Sequence, residues 1–234
     1  RRSSDLAEFI HYNMDCIQMA RHYAVPCYST AGVGDANVPG MQAGIEKIFS
    51  SHLKEKEDYV VMDVRGDLQA LDLDELKNNL ENSAVLFEGN PFIGRVLQTH
   101  EALAELNKLS IFMSPLSKEE IGFLLSVKPA VSLPDFVTDV MRRKLLRRTR
   151  KQKGELSLAD LHNIEKRASS AFHELQDAHY FDNVIPNHDG EDSENWDAFY
   201  YPVGDARKSL VSFVALLNGE NAKYAEKWEK ELLQ

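Results

Sequence analysis

An α/β fold, a parallel sheet with helices on its faces, is predicted by three features of the sequence. Short β-branched and aromatic runs alternate with stretches of helical periodicity from about residue 57 onward. The joints between them carry Gly, Pro, Ser or Asp, the residues that start and stop helices and turns. With 43% apolar residues in a chain of 234, there is enough material to bury such a sheet.

The elements follow in order. Residues 5–23 place Leu6, Phe9, Ile10, Ile17 and Ala20 at helical spacing behind Ser3, Ser4 and Asp5, which predicts an amphipathic helix ending near Val25-Pro26. A short apolar strand then runs into a loop rich in Gly and Pro, and "MQAGIEKIFSSHLKEKE" resumes helical periodicity before turning polar. Beyond Lys56, "DYVVMDV" reads as a strand, "DLDELKNNL" as a helix with Asp72 near its cap, and "AVLFEG" as a strand. "PFIGRVLQTHEALAEL" reads as a helix whose first turn holds Pro91, where a missing N–H costs nothing. "LSIFMS" is a strand, and "SKEEIGFLL" a helix opened by Ser117 with Glu120 three residues on, a capping-box pattern. An irregular piece with Pro129 and Pro134 precedes a long cationic helix. A second long helix, about 157–178, follows the breaker Gly154; "FDNVIPN" is the last strand, and the C-terminal part is expected to be helical. Internal repeats and low-complexity segments are absent.

Charge narrows the function. A net charge of −10 and a pI of about 5.3 argue against a general nucleic-acid binder, which needs a basic field over a whole face. Yet "RRKLLRRTRKQK", residues 142–153, is strongly cationic, and no aromatics interleave with it as stacking on single strands requires. A small phosphate ligand suits it better than a polymer. The competing reading is a solvated basic face paired with acids such as Glu155 and Asp160.

Cys16 and Cys27 follow no metal or disulfide spacing, as for small buried side chains in a reducing cytosol. No stretch approaches the roughly 18 to 20 apolar residues of a membrane span, and no signal core follows the start, so a cytoplasmic location with no membrane partner is expected. The chain opens on Arg1 and Arg2 without Met, which reads as a fragment. His173 sits next to Glu174 instead of at helical ligand spacing, and His179 and His188 lack a second ligand, so all three read as surface or cap residues and no metal is expected. Asp189, Glu191 and Asp192 fit no calcium-loop register and read as a polar turn.

The stretch from Met141 to Gly190 resembles guanylate kinases. It places a cationic helix, a turn, a second helix with Arg167, and then Glu174, Leu175, Ala178, Phe181, Asp182, Val184, Ile185 and Asn187 in the order E-L-x-x-A-x-x-F-D-x-V-I-x-N. Pro115 and Ser117 match the family's strand-to-helix step, and the resemblance covers about residues 55–217, loosely before residue 109. It implies a partial P-loop-kinase-like parallel sheet with a helical lid. It implies a GMP-like nucleoside monophosphate as ligand, Glu88 at the base, and Arg147, Arg148 and Arg167 near phosphate. Arg suits this role because its planar fork makes two-point contacts with phosphate oxygens. With kinase activity, ATP and Mg²⁺ would be the cofactors.

The phosphate loop G-x-x-x-x-G-K-[ST] is absent, since no Gly in the chain is followed by Lys. Ahead of the kinase-like part, residues 5–52 resemble the trimethylamine methyltransferase family: Gln18, Ala20, Arg21, Tyr23, Pro26, Asp35, Pro39, Gln42, Ala43, Gly44 and Glu46 fit its pattern, while Asn37 and Gly40 replace Lys and Asp. That resemblance implies a helix-strand-helix piece of a (β/α)₈ barrel and, for a whole enzyme, methyl transfer to a corrinoid protein. One such unit cannot close a barrel, so no catalytic residue carries over. Gly32, Gly34 and Pro39 equally form an ordinary strand-to-helix loop.

The expected organisation is therefore a methyltransferase-like segment at 1–54, a guanylate kinase-like domain at 55–217 and a C-terminal helix at 218–234. Three functions stay open: a nucleotide-binding module with impaired phosphotransfer, a fragment or fusion of a methyltransferase, and a non-catalytic domain that binds a protein partner.

Overall fold

The computed structural model describes residues 27–29, 59–65, 67–82, 84–127, 131–190 and 193–233. The helices expected at 5–23 and 41–57, the loop with Gly32, Gly34 and Pro39, and Pro129, Glu191 and Asp192 lie outside the described residues. The chain divides into two compact units, one holding the described residues up to Ile93 and the other those from Gly94 on.

In the first unit, β1 (Cys27–Ser29) runs parallel to β4 (Leu86–Glu88), in register from Cys27↔Leu86 to Ser29↔Glu88. A strand from residues 5–52 thus pairs with a strand from residues 55–217. β2 (Tyr59–Val64) and β3 (Asp67–Asp72) form an antiparallel hairpin closed by a two-residue connection after Val64↔Asp67. Arg65 takes φ +60° in that connection, the left-handed region that tight hairpins demand. The sequence reading missed β3, because Arg-Gly is not the Asn-Gly or Asp-Gly signal of a two-residue turn. α1 (Leu73–Asn82) follows directly and buries Leu73 and Leu76.

α2 (Pro91–Thr99) starts with Asn90 Oδ1 accepting from the Phe92 N–H at 2.9 Å. It stops at Thr99, short of the expected Leu106. His100 leaves helical geometry at ψ 129° and accepts from the Ala102 N–H, opening a 3₁₀ turn at Glu101–Leu103 instead.

The second unit is built on β5 (Ile111–Ser114) and β6 (Asn183–Pro186), parallel from Ile111↔Asn183 to Ser114↔Pro186. Around them lie α3 (Lys118–Ser126), α4 (Leu133–Lys153), α5 (Leu158–Gln176) and α6 (Gly204–Leu217). Parallel strands with intervening helices make the class α/β, as expected from the alternation.

The Ser117 capping box is present: its hydroxyl accepts from the Glu120 N–H while the Glu120 carboxylate accepts from the Ser117 N–H at 2.7 Å. Pro134 is not in an irregular piece. It occupies the first turn of α4 behind the cap Ser132, where no helical N–H is lost. Phe112, Ile121, Val137, Leu175, Phe181 and Val184 join one apolar core, with Phe112 and Phe181 edge to face at 5.3 Å. Gly94 exists for this core, since a Cβ there would stand 2.5 Å from the Phe181 ring.

Residues 218–233 are not the expected C-terminal helix. They form turns, a two-bond antiparallel bridge between Glu226 and Val184, and a 3₁₀ turn at Lys230–Leu233 that returns Trp228 and Leu233 to the core. Burying two large side chains fixes this segment without helical periodicity.

Candidate functional site

In open α/β sheets, ligands sit beyond the carboxyl ends of the parallel strands, where the loops leave and helices begin. The candidate site is accordingly built at the ends of β5 and β6.

Most of the guanylate kinase-like pattern has a packing role here. Leu175, Ala178, Phe181, Val184 and Ile185 are buried. Asp182 accepts from both the N–H and the hydroxyl of Ser110, at 3.1 and 2.6 Å, and so ties the start of β6 to the start of β5. Asn187 extends the ladder by donating its N–H to the Ser114 carbonyl at 2.8 Å, and its side-chain oxygen accepts from the Asp189 N–H at 3.1 Å. Only Glu174, which accepts from the Ser170 hydroxyl at 2.6 Å, and Asn187 at the strand end remain as polar groups suited to chemistry.

The loop after β6 is organised by Asp189. Its carboxylate accepts from the Ala206 N–H at 2.7 Å, the Asn195 amide at 2.7 Å and the Ser193 hydroxyl at 3.0 Å. The carboxylate thereby meets an N–H at the amino end of α6, where the positive dipole end favours it. Trp196, buried beneath, donates its indole N–H to the Gly190 carbonyl at 2.6 Å.

The cationic helix reaches this loop. Lys144 donates to the Asn187 carbonyl at 2.8 Å, and Arg147, one turn on, donates to the Asp189 carbonyl at 3.5 Å. Other cations of the run pair with acids: Arg142 holds Glu165 through two bonds of 2.7 Å, Arg143 holds Asp139, and Lys153 holds Asp160. The Lys153 ammonium and the Ser157 cap together lower the Asp160 pKa to about 2.

The amino end of α3 faces the same edge, and three of its N–H groups meet side-chain oxygens. Glu120 covers the Ser117 N–H and Glu226 accepts from the Lys118 N–H at 2.9 Å. Two carboxylates already stand at this helix end, which disfavours a further anion there.

Sequence reasoning missed His188. Its Nε2 lies 2.8 Å from Glu120 at the start of α3, and its Nδ1 bonds Asp205 at the start of α6. Spacing gave no sign of this, because the two carboxylates come from 68 residues upstream and 17 downstream. They grip opposite edges of one ring, so they do not converge on a common point. Among the described residues no group of three or more His, Cys, Asp or Glu is placed to hold a metal ion.

Of the residues singled out from sequence, Glu88 ends β4 in the first unit and is exposed. Arg147 is exposed on α4, while Arg148 on α4 and Arg167 on α5 are half-buried. The structure brings the three arginines onto one helical hairpin; Glu88 belongs to the other unit. Asp160 does pair as the solvated-face reading expected, but with Lys153. No helix among the described residues is long and apolar enough to cross a membrane.

No protein-family model, curated protein or solved structure matches this chain.

Proposed function

We propose that the chain is a nucleotide-binding module of guanylate kinase-like fold, with α4 and α5 as a lid over a nucleoside monophosphate. Arg147, Arg148 and Arg167, all on that hairpin, are assigned to the phosphate. The observation that supports this best is the reach of α4 to the carboxyl end of β6, through Lys144 on Asn187 and Arg147 on Asp189. A phosphate meets a guanidinium fork with two parallel charge-assisted bonds, a geometry that a single carbonyl oxygen does not offer.

ATP and Mg²⁺ have no place in this proposal. The Lys and Ser/Thr of the phosphate loop are missing from the sequence, so phosphoryl transfer by this chain alone is not inferred. Nor is methyl transfer to a corrinoid protein, since one helix-strand-helix unit cannot close a barrel or build its site.

Calorimetry with GMP tests the proposal. Binding is expected, weakened about tenfold or more in Arg167→Ala by loss of a charge-assisted contact. Absence of heat with every nucleoside monophosphate would overturn it.

A second reading, a protein-interaction domain of the same fold, is favoured by the exposed run Phe199, Tyr200 and Tyr201, with Tyr200 96% exposed. A partner retained equally by the wild type and Glu88→Ala, unaffected by nucleotide, and lost in Tyr200→Ser would support it.

A further inference from the structure

We infer that His188 is a proton-dependent staple that locks the loop after β6 to two helices at once, and releases it when the imidazolium loses its proton. The inference concerns the protein without ligand and stands apart from the nucleotide reading.

The geometry demands a charged ring. A neutral imidazole has one N–H and one lone pair, so it can donate to only one of two flanking carboxylates. Here both ring nitrogens face carboxylates, Nε2 meeting Glu120 at 2.8 Å and Nδ1 meeting Asp205. Both bonds exist together only when both nitrogens carry protons. Loss of the proton leaves one carboxylate oxygen facing a lone pair.

The carboxylates are themselves held in place. Glu120 is fixed by the Ser117 N–H and hydroxyl, at 2.7 and 2.9 Å, and Asp205 by the Lys208 ammonium at 2.7 Å. Neither can swing away at no cost. The charged groups around the ring are therefore Glu120 from α3, Asp205 and Lys208 from α6, and Asp189 in the loop itself. Glu226 and Lys118 stand at the amino end of α3.

The sign of the pH dependence follows. Partial burial disfavours the charged ring, but the bonds from Asp205 and Glu120 outweigh it, and the pKa of His188 is raised. Burial likewise disfavours both carboxylates, and their hydrogen bonds outweigh it, so Glu120 and Asp205 are lowered. The contribution of His188 is complete below the ordinary imidazole range and is lost as pH rises through the raised value. Those of Glu120 and Asp205 are present above the ordinary carboxylate range and are lost as pH falls through their lowered values.

The staple matters because of what its loop carries. Residues 187–190 present the carbonyls of Asn187 and Asp189 to Lys144 and Arg147, and the Asp189 carboxylate that caps α6. Release of His188 loosens the anchorage of α4 and the start of α6 together. This couples proton loss at one side chain to α4, beyond the two helices, α3 and α6, that it bonds directly.

NMR of the histidine side chains across pH, with His188→Gln to assign the signal, tests the inference. The His188 midpoint is expected above that of the same residue in denaturant, and lowered in both Glu120→Gln and Asp205→Asn. In the same titration, exchange protection factors at Asp189 and Ala206 are expected to fall about two- to fivefold as His188 deprotonates, the scale of partly exposed ion pairs. In His188→Gln they should stay flat. A midpoint equal to the denatured value and unmoved by either carboxylate variant would overturn the staple. So would protection that falls identically in His188→Gln.

Discussion

The hairpin of α4 and α5 is secured differently at its two ends. At its base, Leu133 and Val137 of α4 and Ala171 and Leu175 of α5 belong to the main core, beside Phe112 and Val184 of the strands. Further out, Leu145, Ile164 and Ala168 form a small cluster of their own, backed by Leu146. Past that, Leu158 and Leu161 are exposed and Lys153 pairs with Asp160, while Arg142 holds Glu165 on the base side of the small cluster. The base shares the stability of the whole unit. The outer half has few apolar contacts of its own and is expected to open at a lower free energy. The arginines assigned to phosphate, Arg147, Arg148 and Arg167, lie alongside the small cluster in sequence, where opening is cheap.

Substitutions sharpen this contrast. Leu175→Ala, at a fully buried base position, is expected to cost about 2–5 kcal/mol in a denaturant titration, with the slope unchanged. Gly94→Ala forces a methyl into the Phe181 ring of the same core and is expected to cost about 1–3 kcal/mol by overpacking. Leu145→Ala should shift the global midpoint less than Leu175→Ala. It should lower exchange protection mainly between residues 141 and 168, which separates local opening from global unfolding. An equal loss of protection at base and outer half would show that the hairpin is one cooperative piece. Glu165→Gln removes the clamp on half-buried Arg142 and should have the smallest effect, a slight destabilisation of the hairpin that disappears in high salt. The Lys153–Asp160 tie is the most acid-resistant: its contribution is present above the ordinary Asp range and is lost only as pH falls through about 2.

The fold was legible in sequence where local chemistry decides structure. Ser117 with Glu120 announced α3, Gly154 marked the turn between α4 and α5, and the apolar runs at 109–114 and 181–187 held β5 and β6. Reading failed where long-range packing decides. β3 depends on pairing with β2 through a connection in which Arg65 accepts a conformation other residues favour more. The chain after Asn218 is placed by Trp228 and Leu233 entering the core and by the bridge of Glu226 to Val184, none of which has a period. The same holds at the candidate site. The cationic run was visible as composition, and its reach to Asn187 and Asp189 was not. His188 showed no ligand spacing, because its partners arrive through the fold from α3 and α6.

Hydrogen exchange with and without GMP, read along the α4–α5 hairpin, tests the lid most directly. Protection is expected to rise in the outer half, around Leu145, Arg147 and Ile164, while the base around Val137 and Leu175 stays as it was. Identical exchange in the two samples at saturating GMP, or a rise spread evenly over the unit, would contradict a lid that closes on phosphate.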